Sequence, residues 1–186
     1  RFAPPAEADL YRAWMNPEAY HWGSNTVRAS FGFSSLLAAR HGEVSQPVKA
    51  RLEQRARDML HSFHGVNPLS AVMLTNMKRL GAELSMRHIW HERYGYGTPF
   101  ADNPPPGYVV GGPNQSYGGR RGDKGGDVEW IKKQPRAKAY ADFNEPWPKN
   151  SWEPLKRQND STYPFNAPMA VEISTAGTVI LIEFQK

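Results

Sequence analysis

A stretch of 24 residues, HERYGYGTPFADNPPPGYVVGGPN from His91 to Asn114, limits the architecture most: its five glycines and five prolines exclude a continuous helix or central strand. Loops of this length without secondary structure of their own are uncommon in compact domains, and are usually functional or disordered. Four rings, Tyr94, Tyr96, Phe100 and Tyr108, argue for the ordered kind, because disordered tracts are poor in aromatics. The stretch also gathers His91, Glu92, Arg93 and Asp102, and its only apolar run is Val109-Val110. The expectation is a long, fixed loop that binds something.

At 186 residues the chain is long enough for one domain with a real core. Six tryptophans and eight tyrosines cannot all sit in that core, so some are expected on a surface where a sugar, a base or a proline-rich peptide stacks. The net charge of +5 invites a nucleic-acid reading, so the distribution of charge decides. Arg51, Arg55 and Arg57 are interleaved with Glu53 and Asp58, and Arg120, Arg121 and Lys124 with Asp123 and Asp127. A phosphate-binding stripe should carry one sign, so these read as solvated faces and no nucleic-acid partner is expected. The absence of cysteine excludes disulfides, thiol nucleophiles and cysteine-ligated zinc without fixing the compartment. No run approaches the ~18 apolar residues of a membrane helix, so no membrane partner is expected, and the first residues are not expected to be a signal peptide. Arg1 stands where a methionine would, which reads as processing or as a piece of something longer.

Helices are expected before the loop. Glu7–Trp14 has room for one or two helical turns, and Ser24 or Asn25 is placed to cap a helix carrying Val27, Phe31, Leu37 and Ala38 up to His41-Gly42. The clearest helix runs from Ser45 to Phe63, with Ser45 as cap, Pro47 in the first turn and a stripe of Val48, Leu52, Ala56, Met59, Leu60 and Phe63. The short His41–Ser45 connection makes the two an antiparallel hairpin. Asn67-Pro68-Leu69 opens a segment with Val72, Met73 and Leu74 that breaks near Gly81, and Gly81–Trp90 is read as a further short helix. Gln115–Asp127 reads as an exposed excursion and Ala137–Asn144 as a helical turn or two. The tail from Ala167 is ambiguous: its position fits a last helix, whereas Val179-Ile180-Leu181-Ile182 has strand character.

Carboxylates are the first candidates for chemistry, since hydrolysis of a stable bond commonly pairs a proton-donating acid with a second carboxylate. Asp102, Asp142, Glu145, Glu153 and Asp160 stand near aromatic-rich stretches, where a single carboxylate is more often a solvated or capping residue; Asp142, Glu153 and Asp160 gain weight because Trp147, Trp152, Tyr163 and Phe165 are available to desolvate a carboxyl and raise its pKa. His88, His91 and Glu92 lack the His-Glu-x-x-His spacing of zincins, so no metal site is assigned. His91 and Arg93 read instead as hydrogen-bond donors to ligand hydroxyls, or as pins for the loop. Gly107–Gly112 lacks the Gly-Lys-Ser/Thr ending of a phosphate cradle, and no Gly-x-Ser-x-Gly elbow is present.

Five blocks in order carry a resemblance. They are Tyr20–Asn25 (YHWGSN), His64–Leu69 (HGVNPL), Leu74–Met77 (LTNM) with Gly81-Ala82-Glu83, Pro104–Asn114 (PPPGYVVGGPN), and Tyr140-x-Asp142-Phe143-Asn144 running to Trp147-Pro148-x-Asn150-Ser151-Trp152-Glu153. Together they resemble the C-terminal half of a family 9 glycoside hydrolase, the family of endoglucanases, over residues ~4 to ~170. The resemblance implies an all-α fold, part of an (α/α)6 barrel of six helical hairpins with long loops around an open cleft. It implies inverting hydrolysis of a β-1,4-glucan by an aspartate base and a glutamate acid, in a secreted or periplasmic protein. The triplet His91–Arg93 resembles the family's His-His-Arg substrate motif, with Glu92 at the second position. Trp22, Tyr108 and Trp152 join His91 and Arg93 as the expected substrate-binding residues. No cofactor is required, and nothing indicates a structural calcium.

The departures from the family pattern are specific. The base aspartates of the family lie in an Asp-Ala-Gly-Asp motif of its N-terminal half, which these residues do not contain. Residues 1–186 are therefore expected to be the C-terminal portion of one catalytic domain, with the N-terminal portion as its partner. Counting back from Phe165-Asn166-Ala167 places the acid at Asp160, after Asn159, whereas counting forward from Asn150–Glu153 lands on Lys156. Asp160 is the expected acid and Glu153 the second choice. The rival reading is a non-catalytic carbohydrate-binding fragment that keeps the aromatic surface.

Overall fold

A computed structural model describes residues 9–21, 23–87, 99, 103–114 and 133–140. Its framework is a helical hairpin, α1 over Ser24–His41 and α2 over Gln46–Phe63, followed by the short strands β1, Val72–Thr75, and β2, Ser85–Met86. The two helices pack extensively on each other, as the short connection between them requires. Helix α2 begins where read from the sequence: Ser45 is extended at the cap position, without a side-chain bond to the helix, and Pro47 sits in the first turn, where its missing N–H leaves nothing unsatisfied.

The buried stripe of α1 differs from the expected one. Arg28, Ala29, Gly32, Ser35, Leu36 and Ala39 face inward, whereas Val27, Phe31 and Ala38 are half-buried and Leu37 is 43% exposed. The physical reason is size. Ala29, Gly32 and Ala39 let the backbone of α1 approach its neighbours closely, and a search for large apolar side chains passes over such a face. On α2 the expected stripe holds over its second half, where Ala56, Met59, Leu60 and Phe63 are buried, while Val48 and Leu52 remain half-exposed. Between the helices, the Arg55 guanidinium lies 5.3 Å from the Phe31 ring centroid, and partial burial pulls its pKa below the ordinary value.

Neither Ser24 nor Asn25 caps α1. Gly23 takes the cap position, and Ser24 and Asn25 stand buried in the first turn. The Asn25 N–H, otherwise an unsatisfied helix-terminal donor, bonds the Gly111 carbonyl at 2.9 Å, 86 residues away in sequence. A distant loop thus does the work assigned to a local cap.

The all-α expectation is modified by β1 and β2, which pair in parallel with Val72 opposite Ser85, Thr75 opposite Met86 and an irregularity between. The crossover that joins them is a 3-10 turn over Met77–Leu80, shorter than the dozen or more residues usual for parallel strands. Ser85–Met86 falls within the Gly81–Trp90 segment expected to be helical, whose described part, residues 81–87, holds a strand because these buried residues pair with β1. On its other edge β1 is bridged antiparallel at Leu74 to Val109, so the segment from Gly107 to Val110 acts as a third strand-like layer.

Asn67 joins the hairpin to this sheet. Its buried amide donates to the carbonyls of Ser62 at 2.7 Å and Ala71 at 2.8 Å, and its Oδ1 accepts the Leu69 N–H at 3.0 Å. One side chain therefore fixes the exit from α2 and the entry to β1. Before α1, the chain makes a turn closed by Arg12 N–H to the Asp9 carbonyl at 2.9 Å, so residues 9–14, the described part of the Glu7–Trp14 segment, are not helical as expected. Arg12 at φ +52 cannot continue a helix. A 3-10 turn follows over Pro17–Ala19, and another, Arg136–Lys138, overlaps the start of the Ala137–Asn144 segment, of which residues 137–140 are described. The Gln115–Asp127 excursion and the tail from Ala167 lie outside the described residues.

Candidate functional site

The described part of the proline-glycine loop, Asn103–Asn114, is held on three sides. Toward β1, the Val110 N–H donates to the Met73 carbonyl at 3.1 Å and the Thr75 N–H to the Tyr108 carbonyl at 2.8 Å. Toward α1, Asn25 Nδ2 donates to the Val110 carbonyl at 2.9 Å, beside the Asn25 N–H bond to Gly111. Toward the later chain, the Asn114 N–H donates to the Ala139 carbonyl at 2.7 Å, next to the fully buried Tyr140. Prolines supply no donors of their own, so the loop is fixed through the few N–H and C=O groups that remain.

Gly112 explains why this contact demands glycine. Its φ is +98, and a Cβ there would stand 2.5 Å from Ser24 Oγ and 2.6 Å from Asn25 Cγ. The residues Gly111 to Asn114 are all buried. Gly111 and Gly112 are thus packed against the first turn of α1.

Tyr108, an expected substrate-binding residue, is half-buried at the end of the Pro105-Pro106-Gly107-Tyr108 turn. Gly107 at φ +93 follows a proline, the pattern of a type II turn. Thr75, fully buried, grips this turn four times. Its Oγ1 donates to the Pro105 carbonyl at 2.5 Å and accepts the Tyr108 N–H at 3.1 Å, and its backbone bonds the Tyr108 carbonyl and the Gly107 N–H, each at 2.8 Å. Asn76, in the left-handed region at φ 49, donates through its amide to the Pro104 carbonyl and to Asn103 Oδ1.

The block from Tyr20 to Asn25 reaches the same region through α1. His21 Nδ1 accepts the Gly23 N–H at 3.1 Å, which shapes the turn into the helix. Arg28 ties the preceding segment down: its Nη1 donates to the Ala13 carbonyl at 2.8 Å, and the Tyr20 side chain lies close enough to favour its charged form. Burial pulls the Arg28 pKa below its ordinary value, opposed by Tyr20 and by Asp9. An arginine stays charged in any such environment, so its partners are what makes this burial tolerable.

Of the residues expected to act, Asp160, Glu153, Trp22, His91, Arg93 and Trp152 lie outside the described residues, as do Asp102, Asp142 and Glu145. Among the described residues, no three His, Cys, Asp or Glu side chains gather as a metal site. What is on view is the support of the loop: Asn25, Thr75 and Asn76. Thr75 and Asn76 fall in the Leu74–Met77 block, whose polar pair inside an apolar run was the available signal.

The model of glycosyl hydrolase family 9 matches residues 7–170. The chain belongs to glycosyl hydrolase family 9. No curated protein and no solved structure matches it. Family 9 membership implies glycoside hydrolase activity and a polysaccharide substrate. It also gives the five sequence blocks a common origin. Three of them, Tyr20–Asn25, Leu74–Met77 and Pro104–Asn114, meet at the N-terminus of α1 and the edge of β1. No helix among the described residues is long and apolar enough to cross a membrane.

Proposed function

We propose that this chain hydrolyses a β-1,4-glucan with inversion, as the C-terminal portion of a single (α/α)6 catalytic domain whose N-terminal portion contributes the base aspartate. The family match over residues 7–170 carries the reading. The α1–α2 hairpin is the kind of unit such a barrel repeats, and the triply anchored Asn103–Asn114 loop supports a rigid cleft edge. In this reading Trp22, Tyr108 and Trp152 stack on sugar rings, and His91 and Arg93 donate to sugar hydroxyls. The protein works outside the cytoplasm on insoluble or oligomeric glucan, and no cofactor enters the reaction.

Asp160 is the proposed general acid. It protonates the leaving glycosidic oxygen while a water, activated by the base, attacks the anomeric carbon from the opposite face across a carboxyl separation of about 6.5–9.5 Å. An aspartate is one methylene shorter than glutamate, so the backbone must carry it closer to the bond. Reducing-sugar release from carboxymethylcellulose by the native polypeptide tests the assignment. Asp160→Asn should lower turnover by ~100-fold or more while Glu153→Gln retains most of it. The opposite pattern transfers the role to Glu153. Glucan binding without any release of reducing ends supports the non-catalytic reading, for which the departure from glutamate at the acid position is the motive.

A further inference from the structure

We propose that Thr75 is a positioning residue for glucan binding, setting the place of Tyr108 through its hydroxyl; this rests on reading Tyr108 as a sugar contact. A type II turn ordinarily joins the carbonyl of its first residue to the N–H of its fourth. In the Pro105–Tyr108 turn the Thr75 hydroxyl bridges those two groups, donating to the Pro105 carbonyl at 2.5 Å and accepting the Tyr108 N–H at 3.1 Å. The two backbone bonds of Thr75 to Gly107 and Tyr108 flank it at 2.8 Å.

The side chain is suited to this. Thr75 is fully buried on β1, which is backed by β2 on one edge and bridged to Val109 on the other, so its Cα has no room to wander. Its β-branch restricts χ1, which holds the hydroxyl in one direction. Neighbouring Asn76 fastens the two residues that lead into the turn, Asn103 and Pro104. The turn itself is exposed from Pro105 to Gly107, so its own packing does little to hold it. The backbone that carries the Tyr108 ring is thus placed by a buried residue of β1.

Titration calorimetry with cellohexaose, on the native polypeptide and its variants, tests the assignment. Tyr108→Ala should weaken binding about fivefold to tenfold, the range of one aromatic contact. Thr75→Val, which keeps the β-branch and removes the hydroxyl, should approach that loss, and Thr75→Ser should recover most of the affinity. The double variant Thr75→Val with Tyr108→Ala should bind no more weakly than Tyr108→Ala alone, because both act through one ring. Gly107→Ala strains the turn at φ +93 where an added Cβ meets nothing within 4 Å, so it reports on the turn even where Thr75→Val folds poorly. It should weaken cellohexaose binding in the same way. Wild-type affinity in both Thr75→Val and Gly107→Ala, or additive losses in the double variant, would overturn the role of Thr75. Wild-type affinity in Tyr108→Ala would overturn the reading of Tyr108 itself, and the role of Thr75 with it.

Discussion

Asn67 and Gly112 show how single residues hold this molecule at its two seams. The Asn67 amide satisfies the Ser62 and Ala71 carbonyls, and no other residue type reproduces its donor and acceptor pair at that length. Asn67→Ala should cost about 2–3 kcal/mol, because buried carbonyls lose partners as well as a bond; denaturant unfolding measures it. Gly112→Ala adds a Cβ within 2.6 Å of two α1 side-chain atoms at a left-handed φ, and should cost about 2–4 kcal/mol by the sum of strain and overpacking. The same titration reads it. Both roles were half-legible in the sequence: the Asn-Pro and Gly-Gly-Pro-Asn blocks announce turns, but nothing in them names the distant partner. Asn25 is the counterpart case. It reads as a local cap because capping is a short-range rule, whereas its amide and N–H are spent on Val110 and Gly111.

The hairpin was legible as an element because spacing, a capping serine and a short connection agree over α2. The inward face of α1 was not, since Ala29, Gly32 and Ala39 pack through closeness of backbone and carry little apolar signal. The strands escaped for a different reason. Four residues of β1 and two of β2 are too few for a periodicity, and β1 is bridged on its other edge to Val109, far along the chain. Ala56→Leu on the fully buried face of α2 should destabilise by about 1–3 kcal/mol through overpacking, visible as a lowered thermal midpoint. At the end of α2, desolvation and then neighbouring His61 hold the His64 pKa below its ordinary value. The folded form therefore binds fewer protons than the unfolded chain, so stability should be lost as pH falls below about 6.5 toward the lowered folded value. The urea midpoint followed across that window should fall less in His64→Gln than in the wild type; equal falls would remove His64 from the account.

At the scale of the whole molecule, membership of glycosyl hydrolase family 9 accounts for blocks of sequence that composition alone cannot relate. The family was legible because those blocks recur in order, and the described structure brings three of them together at one end of the hairpin. Asp160, the proposed acid, lies within the matched residues 7–170. The central claim is inverting hydrolysis of a β-linked glucan, and its direct test is proton NMR of cellohexaose during the first turnovers of the native polypeptide. New reducing ends should appear first as the α-anomer and only then mutarotate. Initial release of the β-anomer, or binding with no new reducing ends, would contradict it.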